Sequence, residues 1–325
     1  MPVGVASRAG NCHKDVTVHD SRSEYERRMH RVLDYIDRHL DQPLALDTLA
    51  GVAHFSSFHF HRLFSLWMGE TLGDYVRRRR LELAAMRLIA QPRVAVLDIA
   101  LSVGFGSGEA FTRAFSARFG CSPTRWRRQE SLRHGTGSNP DQPNSKADQA
   151  ARRFRAENAV SFTLRPEGPM NITVIERDEV TVAYLRHLGA YGPDLAGFWK
   201  EIVAPWIVLN GLMGKPRYGL SHDDPGITAP EQCRYDACVQ VGPGFMPAGG
   251  GFLAIIPGGR YASLRYQGNG ADIGDAWSHL LRDWLPASGL QLDARPCFEF
   301  YPESASYDPA TGVFECDICI PVMPL

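Results

Sequence analysis

The stretch of residues 98–126 constrains the fold of this chain more than any other. Its first part predicts a helix with Ile99, Ala100 and Val103 on one apolar stripe, and the neighbouring glycines Gly104 and Gly106 then favour a turn. A second amphipathic pattern follows, and Ser122-Pro123 is typical of an N-cap and first-turn proline that begin another helix. Helix, short turn and helix together predict a helix-turn-helix, whose second helix can enter the major groove of DNA.

An internal repeat favours this prediction over a plain helical hairpin, which would show the same amphipathicity. At an offset of 50 residues, Leu49-Ala50 and Phe55 of the first unit match Ile99-Ala100 and Phe105 of the second. At an offset of 51 residues, four further pairs match: Phe60 with Phe111, Phe64 with Phe115, Gly69 with Gly120 and Tyr75 with Trp126. Residues 71–90 predict one connecting helix about 30 Å long. Since successive major-groove segments lie about 34 Å apart, we expect one chain to present two recognition helices to the same side of a duplex.

Residues 24–128 closely resemble the DNA-binding region of the AraC/XylS family of bacterial transcription regulators. The most specific segment is DIALSVGFGSGEAFTRAFSARFGCSP, and the first repeat, LDTLAGVAHFSSFHFHRLFSLWMGETLGDYVRRRRLELA, fits the family equally well. The resemblance implies that outward side chains of the two recognition helices read DNA: Phe58, His61 and Arg62 in the first, Glu109, Thr112 and Arg113 in the second. Gly108 holds a further outward position and departs from the family, because it has no side chain to read a base edge.

Charge divides the chain into two halves. Residues 1–160 carry 24 Lys and Arg against 17 Asp and Glu, whereas residues 161–325 carry 11 against 19. The basic half holds the helix-turn-helix units, as phosphate binding requires, and the acidic half is expected to avoid DNA and to attract cations.

The composition is that of an ordinary globular protein, with 44% hydrophobic and 22% charged residues. No apolar run is long enough to predict a transmembrane helix or a signal peptide. Seven cysteines without a regular framework suit a reducing compartment. We therefore expect a cytoplasmic protein without membrane contact.

Composition along the chain predicts four segments. Residues 1–20 read as a disordered arm, residues 21–130 as the tandem helix-turn-helix domain with a first helix from Ser23 to about Leu40, residues 131–158 as a flexible linker rich in Gly, Pro, Ser, Asn and Asp, and residues 159–325 as a second domain. Within the first domain, the run of four arginines in residues 77–80 is expected to divide between acidic partners and DNA phosphate.

Residues 159–325 alternate between strand and helix patterns. Strands are predicted at residues 171–175, 180–185, 235–241, 261–266, 298–301 and 314–321, and helices at residues 195–209, where Pro205 should kink or split the helix, and 272–285. The order is ββ–α–β followed by β–α–ββ. The predicted fold is therefore multidomain: an all-α tandem helix-turn-helix domain, then an α+β domain of two β-α-β-β halves.

The motifs MNITVIERDEVTVAYLRHLGAYG, YGLSHDDP, CRYDACVQV, IPGGRYASLRYQG, RPCFEFYPE and CDICIPV, kept in this order, resemble the GyrI-like small-molecule-binding domain. The resemblance implies a groove between the two halves that binds lipophilic, often cationic compounds, with an acidic residue on its floor. That residue is Glu299, and the aromatic candidates for the walls are Tyr191, Trp199, Trp206, Trp277 and Tyr301. Composition alone favours a Glu299 on the solvated face of a sheet, and the resemblance reverses that preference.

Two functions follow from these patterns, and a third interpretation, an architectural DNA-binding protein with no effector, predicts no ligand pocket. The first is a ligand-responsive transcription regulator whose partners are double-stranded DNA, a small-molecule effector and RNA polymerase. The alternative is a GyrI-like hydrolase of a small electrophile fused to a DNA-binding domain, with Glu299 as base toward water.

We expect no cofactor or metal, because Walker A, Rossmann and G-x-S-x-G patterns are missing from the sequence. Cys316 and Cys319 have C-x-x-C spacing, but residues three apart on a strand point to opposite faces. Arg186-His187 is expected to pair with Asp223 or Asp224.

Overall fold

The computed structural model describes residues 15–134, 171–308 and 310–324, and the chain divides into two compact units, Met1–Val76 and Arg77–Leu325. The helices of the N-terminal region are α1 (Asp15–Arg38), α2 (Leu46–Val52), α3 (Ser57–Met68), α4 (Leu72–Ala90), α5 (Val96–Ser102), α6 (Gly108–Phe119) and α7 (Pro123–His134). The predicted connecting helix is confirmed as α4, whose 19 residues span the boundary between the two units.

Helix α1 buries the apolar stripe that the sequence predicts. Met29, Val32, Leu33 and Ile36 are all buried. The helix begins at Asp15, however, and not at Ser23, so residues 15–20 of the expected disordered arm are helical. The segment Asp15–Arg38 contains neither glycine nor proline, and nothing in its sequence stops the helix at Ser23. Residues 1–14 of the expected arm lie outside the described residues.

Helix α7 also extends beyond the predicted boundary. It continues to His134 and so includes the first four residues of the expected linker, since the first glycine after Pro123 is Gly135. The rest of that linker, and the predicted start of the second domain at residue 159, lie outside the described residues.

The two helix-turn-helix units share the same local geometry. The rings of Phe64 and Tyr75 meet edge-on with centroids 5.5 Å apart, and those of Phe115 and Trp126 meet edge-on at 5.8 Å. Helices α3 and α6 both begin at a serine cap and end at a glycine with positive φ, 70° at Gly69 and 69° at Gly120. The repeat read from the sequence therefore corresponds to a repeat in structure.

The second turn is one residue longer than the first. The turn hydrogen bonds from Phe55 N–H to the Ala50 carbonyl and from Phe105 N–H to the Ala100 carbonyl are 50 residues apart. The capping serines, Ser56 and Ser107, are instead 51 residues apart. Gly106 is the additional residue, which explains why the offset changes within the motif.

The compact unit Arg77–Leu325 contains a nine-stranded antiparallel sheet. Its strands are β1 (Ile172–Arg177), β2 (Val180–Leu188), β3 (Arg217–Ser221), β4 (Arg234–Gln240), β5 (Phe252–Ile256), β6 (Gly259–Gly268), β7 (Leu290–Leu292), β8 (Phe298–Tyr301) and β9 (Phe314–Pro324). They lie in the order β1-β6-β9-β8-β3-β4-β2-β5, with β7 paired to β9.

This order confirms the two predicted halves. One half is β2, a helical segment, β3 and β4, and the other is β6, a helical segment, β8 and β9; β3 pairs with β8 to join them. Each half also gives an edge strand to the other, because β1 pairs with β6 and β5 pairs with β2. The strand exchange makes the two halves one sheet.

The helical segment of each half contains a π-helical turn. In the first half α8 (Pro193–Phe198) continues through the π-helix Trp199–Val203 into α9 (Ala204–Leu209). In the second half α10 (Ile273–Ser278) continues through the π-helix His279–Trp284 into α11 (Leu285–Ala287). A proline, Pro205 or Pro286, follows each π-helix by two residues. Because proline disrupts the i→i−4 hydrogen bond, a wider turn before it keeps the segment helical, so Pro205 does not split the helix.

Both helical segments cover the same face of the sheet. Val203 and Trp206 pack on Ala237, while Leu280 and Leu285 pack on Ile318. Ala237 and Ile318 share a face, because register connects them through Gly219 and Glu299 across β4, β3, β8 and β9. Among the residues that the structure describes, no helix has the length and apolar character needed to cross a membrane.

Candidate functional site

Helix α3 presents the predicted DNA-reading residues on the side opposite its core contacts. Phe58, His61 and Arg62 are exposed, whereas Phe60 and Phe64 are fully buried. The Arg62 guanidinium carbon lies 5.8 Å from the centre of the Phe58 ring, so the two candidate contacts are neighbours. Such a surface can offer a base edge both a planar cation and an apolar ring.

Helix α6 presents the second set in the same way. Glu109, Thr112 and Arg113 are exposed and, with Gly108, line one open recess. A Cβ on Gly108 would lie only 3.3 Å from a methyl group of Leu97. The missing side chain therefore allows close packing of α6 on α5, which is a structural reason for the departure from the family pattern.

Two arginines of the run in α4 have an acidic partner, as the sequence predicts for part of the run. Arg78 and Arg79 are buried and both donate to Glu82, at 3.2 and 3.0 Å. Their guanidinium groups are therefore inaccessible to DNA phosphate in this conformation.

Glu299 lies at the joint between the two halves of the sheet, on the face that the helices cover. It stands opposite Gly219 across the β3–β8 pair and is only 6% exposed. Phe298 packs on the opposite face with Tyr218, as expected for neighbouring residues of a strand. The alternative of a solvated Glu299 is wrong.

Three neutral donors from both halves surround the Glu299 carboxylate. The Tyr235 hydroxyl donates to Oε2 at 3.2 Å and the Tyr301 hydroxyl to the same oxygen at 2.9 Å, while the indole N–H of Trp277 donates to Oε1 at 3.1 Å. The indole N–H of Trp199 donates to the Tyr235 hydroxyl at 3.3 Å. An acid enclosed by aromatic rings is therefore built from β4, β8 and both helical segments.

The electrostatics of this cluster are set by burial. Desolvation raises the pKa of Glu299 above its usual 4.5, and the donated hydrogen bonds from Trp277, Tyr301 and Tyr235 oppose this rise. Burial, together with the nearby carboxylate of Glu299, raises the pKa of the Tyr235 and Tyr301 hydroxyls well above 10.0. Both tyrosines therefore remain neutral donors near pH 7.

The remaining predicted wall residues are placed less centrally. The Tyr191 hydroxyl donates to the Arg234 carbonyl at 2.6 Å, and its ring meets Tyr235 edge-on at 6.1 Å. Trp206 is buried in the core beneath the first helical segment, and its indole N–H donates to the Ala248 carbonyl at 2.7 Å. Trp206 thus packs in the same core as Tyr235 without donating to the carboxylate.

Two residues of the cluster did not emerge from the sequence as site residues. Tyr235 begins the predicted strand at residues 235–241, but nothing in the alternation of that strand distinguishes it from a core tyrosine. Gly219 interrupts β3, and a Cβ there would lie 1.9 Å from the Tyr235 hydroxyl oxygen. The glycine in YGLS was the available signal, since a glycine inside a strand often marks a close approach by another group.

Two other pairings of the second domain can be compared with expectation. Arg186 binds Asp236 through two 2.6 Å hydrogen bonds, and its expected pairing with Asp223 or Asp224 stays a prediction. Cys316 and Cys319 are both buried and free, and they belong to different core clusters, which confirms that they point to opposite faces of β9.

Comparison with known proteins agrees with this architecture. The family model of a helix-turn-helix domain matches residues 49–129, and that of the GyrI-like small molecule binding domain matches residues 170–323. The transcriptional regulator Rob of Salmonella typhimurium is 43% identical over 323 residues, which cover 90% of this chain and 96% of Rob. Regulatory protein SoxS of Escherichia coli is 38% identical over 96 residues, 30% of this chain and 89% of SoxS. Among solved structures, the DNA-binding domain of AdpA in complex with a target DNA is 28% identical, with a TM-score of 0.30, and covers 33% of this chain and 95% of that one.

Tandem helix-turn-helix units joined to a small-molecule-binding domain define a class of DNA-binding transcription regulators that respond to a ligand. This chain belongs to the AraC family of such regulators, in the group with a C-terminal GyrI-like domain.

Proposed function

We propose that this regulator senses a small lipophilic cation at the Glu299 cluster, and that the bound cation changes how its recognition helices engage an operator. The observation that carries the proposal is the buried Glu299 carboxylate, whose donors Tyr235, Tyr301 and Trp277 are all neutral. Hydrogen bonds from neutral groups leave the negative charge uncompensated, and a cation beside aromatic faces gains from both the carboxylate and the rings.

Access to the cluster requires a side chain to move, because Glu299 is almost completely covered. Trp199 begins one π-helix and Trp277 lies two residues before the other. Such turns occur frequently at functional sites. We therefore assign the movement that admits the effector to these two tryptophans.

Titration of the full chain by calorimetry tests the proposal. Tetraphenylphosphonium is a lipophilic cation with four phenyl rings, and triphenylphosphine oxide is a neutral compound of similar shape. We expect the cation to bind clearly more tightly than the oxide and to raise the melting temperature by mass action. Equal affinity for both compounds would refute a charge-selecting site.

For the DNA-binding region we propose that Phe58, His61 and Arg62 read one major-groove segment and that Glu109, Thr112 and Arg113 read the next. Support comes from their exposure on the outward faces of two helices with matching caps and cores. Footprinting should then show two protected patches about one helical turn apart, and a single patch would contradict this arrangement. We further propose RNA polymerase as a partner at the promoter, testable by transcription with purified components.

Hydrolysis remains the second candidate function, for one reason. Burial raises the pKa of Glu299, and a carboxylate with a raised pKa can act as a general base toward water. Incubation with small electrophiles followed by mass spectrometry should reveal product only if the domain is an enzyme. Recovery of unchanged compound from a protein that binds it would eliminate this candidate.

A further inference from the structure

A buried ion network joins the loop between β3 and β4 to helix α4. Asp223 in this loop has a fully buried side chain that pairs with Arg79 of α4. The backbone N–H, Nε and Nη2 of Arg234 also donate to the Asp223 carboxylate, at 2.8, 3.0 and 3.2 Å. In addition, Arg79 donates to the His222 carbonyl at 3.3 Å. Charged hydrogen bonds shielded from water therefore fix the loop to α4.

The network continues from α4 to the recognition helix α6. Glu82, whose side chain is 3% exposed, accepts from Arg79 at 3.0 Å and from Arg118 at 3.1 Å. Arg118 lies in the last turn of α6. Arg79 thus bridges two carboxylates, one in the GyrI-like domain and one in the helical region. We call the following residues the interface network: Arg78, Arg79, Glu82, Arg118, Asp223 and Arg234.

The other end of the network is adjacent to the Glu299 cluster. Arg234 is the first residue of β4, and the next residue, Tyr235, donates to Glu299. Neighbouring residues of a strand point to opposite faces. Tyr235 therefore meets the carboxylate while Arg234 meets Asp223, and a ligand that displaces Tyr235 acts on the strand end that holds Arg234.

An apolar anchor accompanies the ion network. Ile227, in the same loop as Asp223, is 1% exposed and packs into the core of the second helix-turn-helix unit with Leu81, Phe111 and Trp126. The loop between β3 and β4 thus belongs to the GyrI-like domain by sequence and to the helical core by packing. A shift of this loop must change contacts around α6, because close-packed interiors have no free space to absorb it.

We propose that the interface network transmits occupancy of the site at Glu299 to helix α6, and so couples the effector to DNA affinity. This inference rests on the proposed function, since it requires a ligand that, after Trp199 and Trp277 have moved, also displaces the Tyr235 hydroxyl from Glu299. A purely structural role for the same residues predicts that ligand and DNA bind independently.

The first test measures the coupling between the two ligands. The full chain first selects a duplex from a random-sequence library, and this duplex is labelled. It is then used to titrate three proteins, with and without saturating tetraphenylphosphonium: the wild-type chain, Asp223→Asn and the control Glu315→Gln. Glu315 forms an ion pair at 2.8 Å with Arg265, which is half exposed and lies outside the network. In wild type and control we expect the probe to change DNA affinity by about fivefold or more.

In Asp223→Asn the probe should still bind within about threefold of wild type, while its effect on DNA affinity falls below about twofold. Full wild-type coupling in this variant overturns the proposal. Should Asp223→Asn fail to fold, Arg118→Gln cuts the network at its far end, where the side chain is 25% exposed. The same loss of coupling is expected there, with the same outcome overturning the proposal.

The second test needs no ligand, and it separates failure of the network from failure of the proposed function. In Gly219→Ala the new Cβ would lie 1.9 Å from the Tyr235 hydroxyl oxygen and 2.7 Å from Oε2 of Glu299, so the hydroxyl must move away from the carboxylate. Amide hydrogen exchange of the full chain should then become faster in Gly108–Phe119. The same change in an Asp223→Asn background should have no further effect.

Unchanged exchange of α6 in Gly219→Ala overturns the network even if tetraphenylphosphonium binds. Conversely, the wild-type protein could fail to bind tetraphenylphosphonium while the Gly219→Ala variant shows faster amide exchange of α6. This pair of results refutes the cationic effector and supports the network. If Gly219→Ala does not fold, Tyr235→Phe removes the hydroxyl without adding bulk and is judged by the same exchange of α6.

Discussion

Replacement of Glu299 by glutamine should separate cationic from neutral ligands. The substitution keeps the size of the side chain and removes the charge that Tyr235, Tyr301 and Trp277 surround. A cation bound there would lose a desolvated charge partner and keep only the aromatic faces, which contribute about 2 kcal/mol in a dry site. Removing one partner of a buried charge pair costs about 3–5 kcal/mol. At about 1.4 kcal/mol for each factor of ten, the affinity for tetraphenylphosphonium should fall by at least about 100-fold.

The assay is calorimetry on the full chain with tetraphenylphosphonium and with triphenylphosphine oxide. The affinity for the neutral oxide should change by less than about threefold, because it gains little from the carboxylate. Glu303→Gln is the matched control, since Glu303 is exposed and lies four residues away. DNA affinity without ligand should not change in either variant. An equal loss for both compounds, or no loss for either, would falsify the charge-selecting role of Glu299.

Three further predictions concern stability, base recognition and pH. Trp126→Ala should destabilise the second helix-turn-helix unit by about 3–5 kcal/mol in thermal unfolding, because the ring is buried against Phe115 and Phe119. Arg62→Ala and Arg113→Ala should relax base preference at separate operator positions by about 1–3 kcal/mol each, measured on randomised duplexes; uniform weakening would instead indicate phosphate contacts. Burial raises the pKa of Glu299, so the folded protein holds this proton more tightly than the unfolded chain does. Between pH 4.5 and the folded pKa, the free energy of unfolding relative to Glu299→Gln should therefore fall as pH rises, with a limiting slope of about 1.4 kcal/mol per pH unit. Cation affinity should show the opposite trend and weaken as pH falls through the folded pKa.

The helical region could be predicted from the sequence because its determinants are local. Phe115 and Trp126 mark one edge-on contact and Phe64 and Tyr75 its counterpart, and all four follow from the repeat alone. Serine caps and terminal glycines give the boundaries of α3 and α6 for the same reason. The ends of α1 and α7 could not be placed in this way, since no breaker marks them at the predicted residues.

The sheet could be predicted only in part, because its pairing is not local. β5 is hidden in the sequence since Leu253 and Ile255 are apolar yet exposed on an edge strand, which obscures the alternation. β3 is hidden because Gly219 weakens the strand pattern, and that glycine is required by the Tyr235 hydroxyl above it. The exchange of β1 and β5 between the halves has no signal in a single sequence. Glu299 could be found through its motif, whereas its partner Tyr235 needs the register of β3, β4 and β8 to be known.

The position of Glu299 connects the chemistry of the site to the architecture that carries it. A buried carboxylate normally reduces stability unless a charge compensates it, and here the nearest donors are neutral. The stability lost by burying Glu299 is lost at the β3–β8 pair, which joins the two halves. Tyr235 comes from one half, and Trp277 and Tyr301 come from the other. A cation that compensates the charge therefore strengthens the joint itself, and the loop that follows β3 leads directly to Asp223 and α4. A site on an edge strand, β1 or β5, would lie outside both this joint and the strands whose connecting loop carries Asp223.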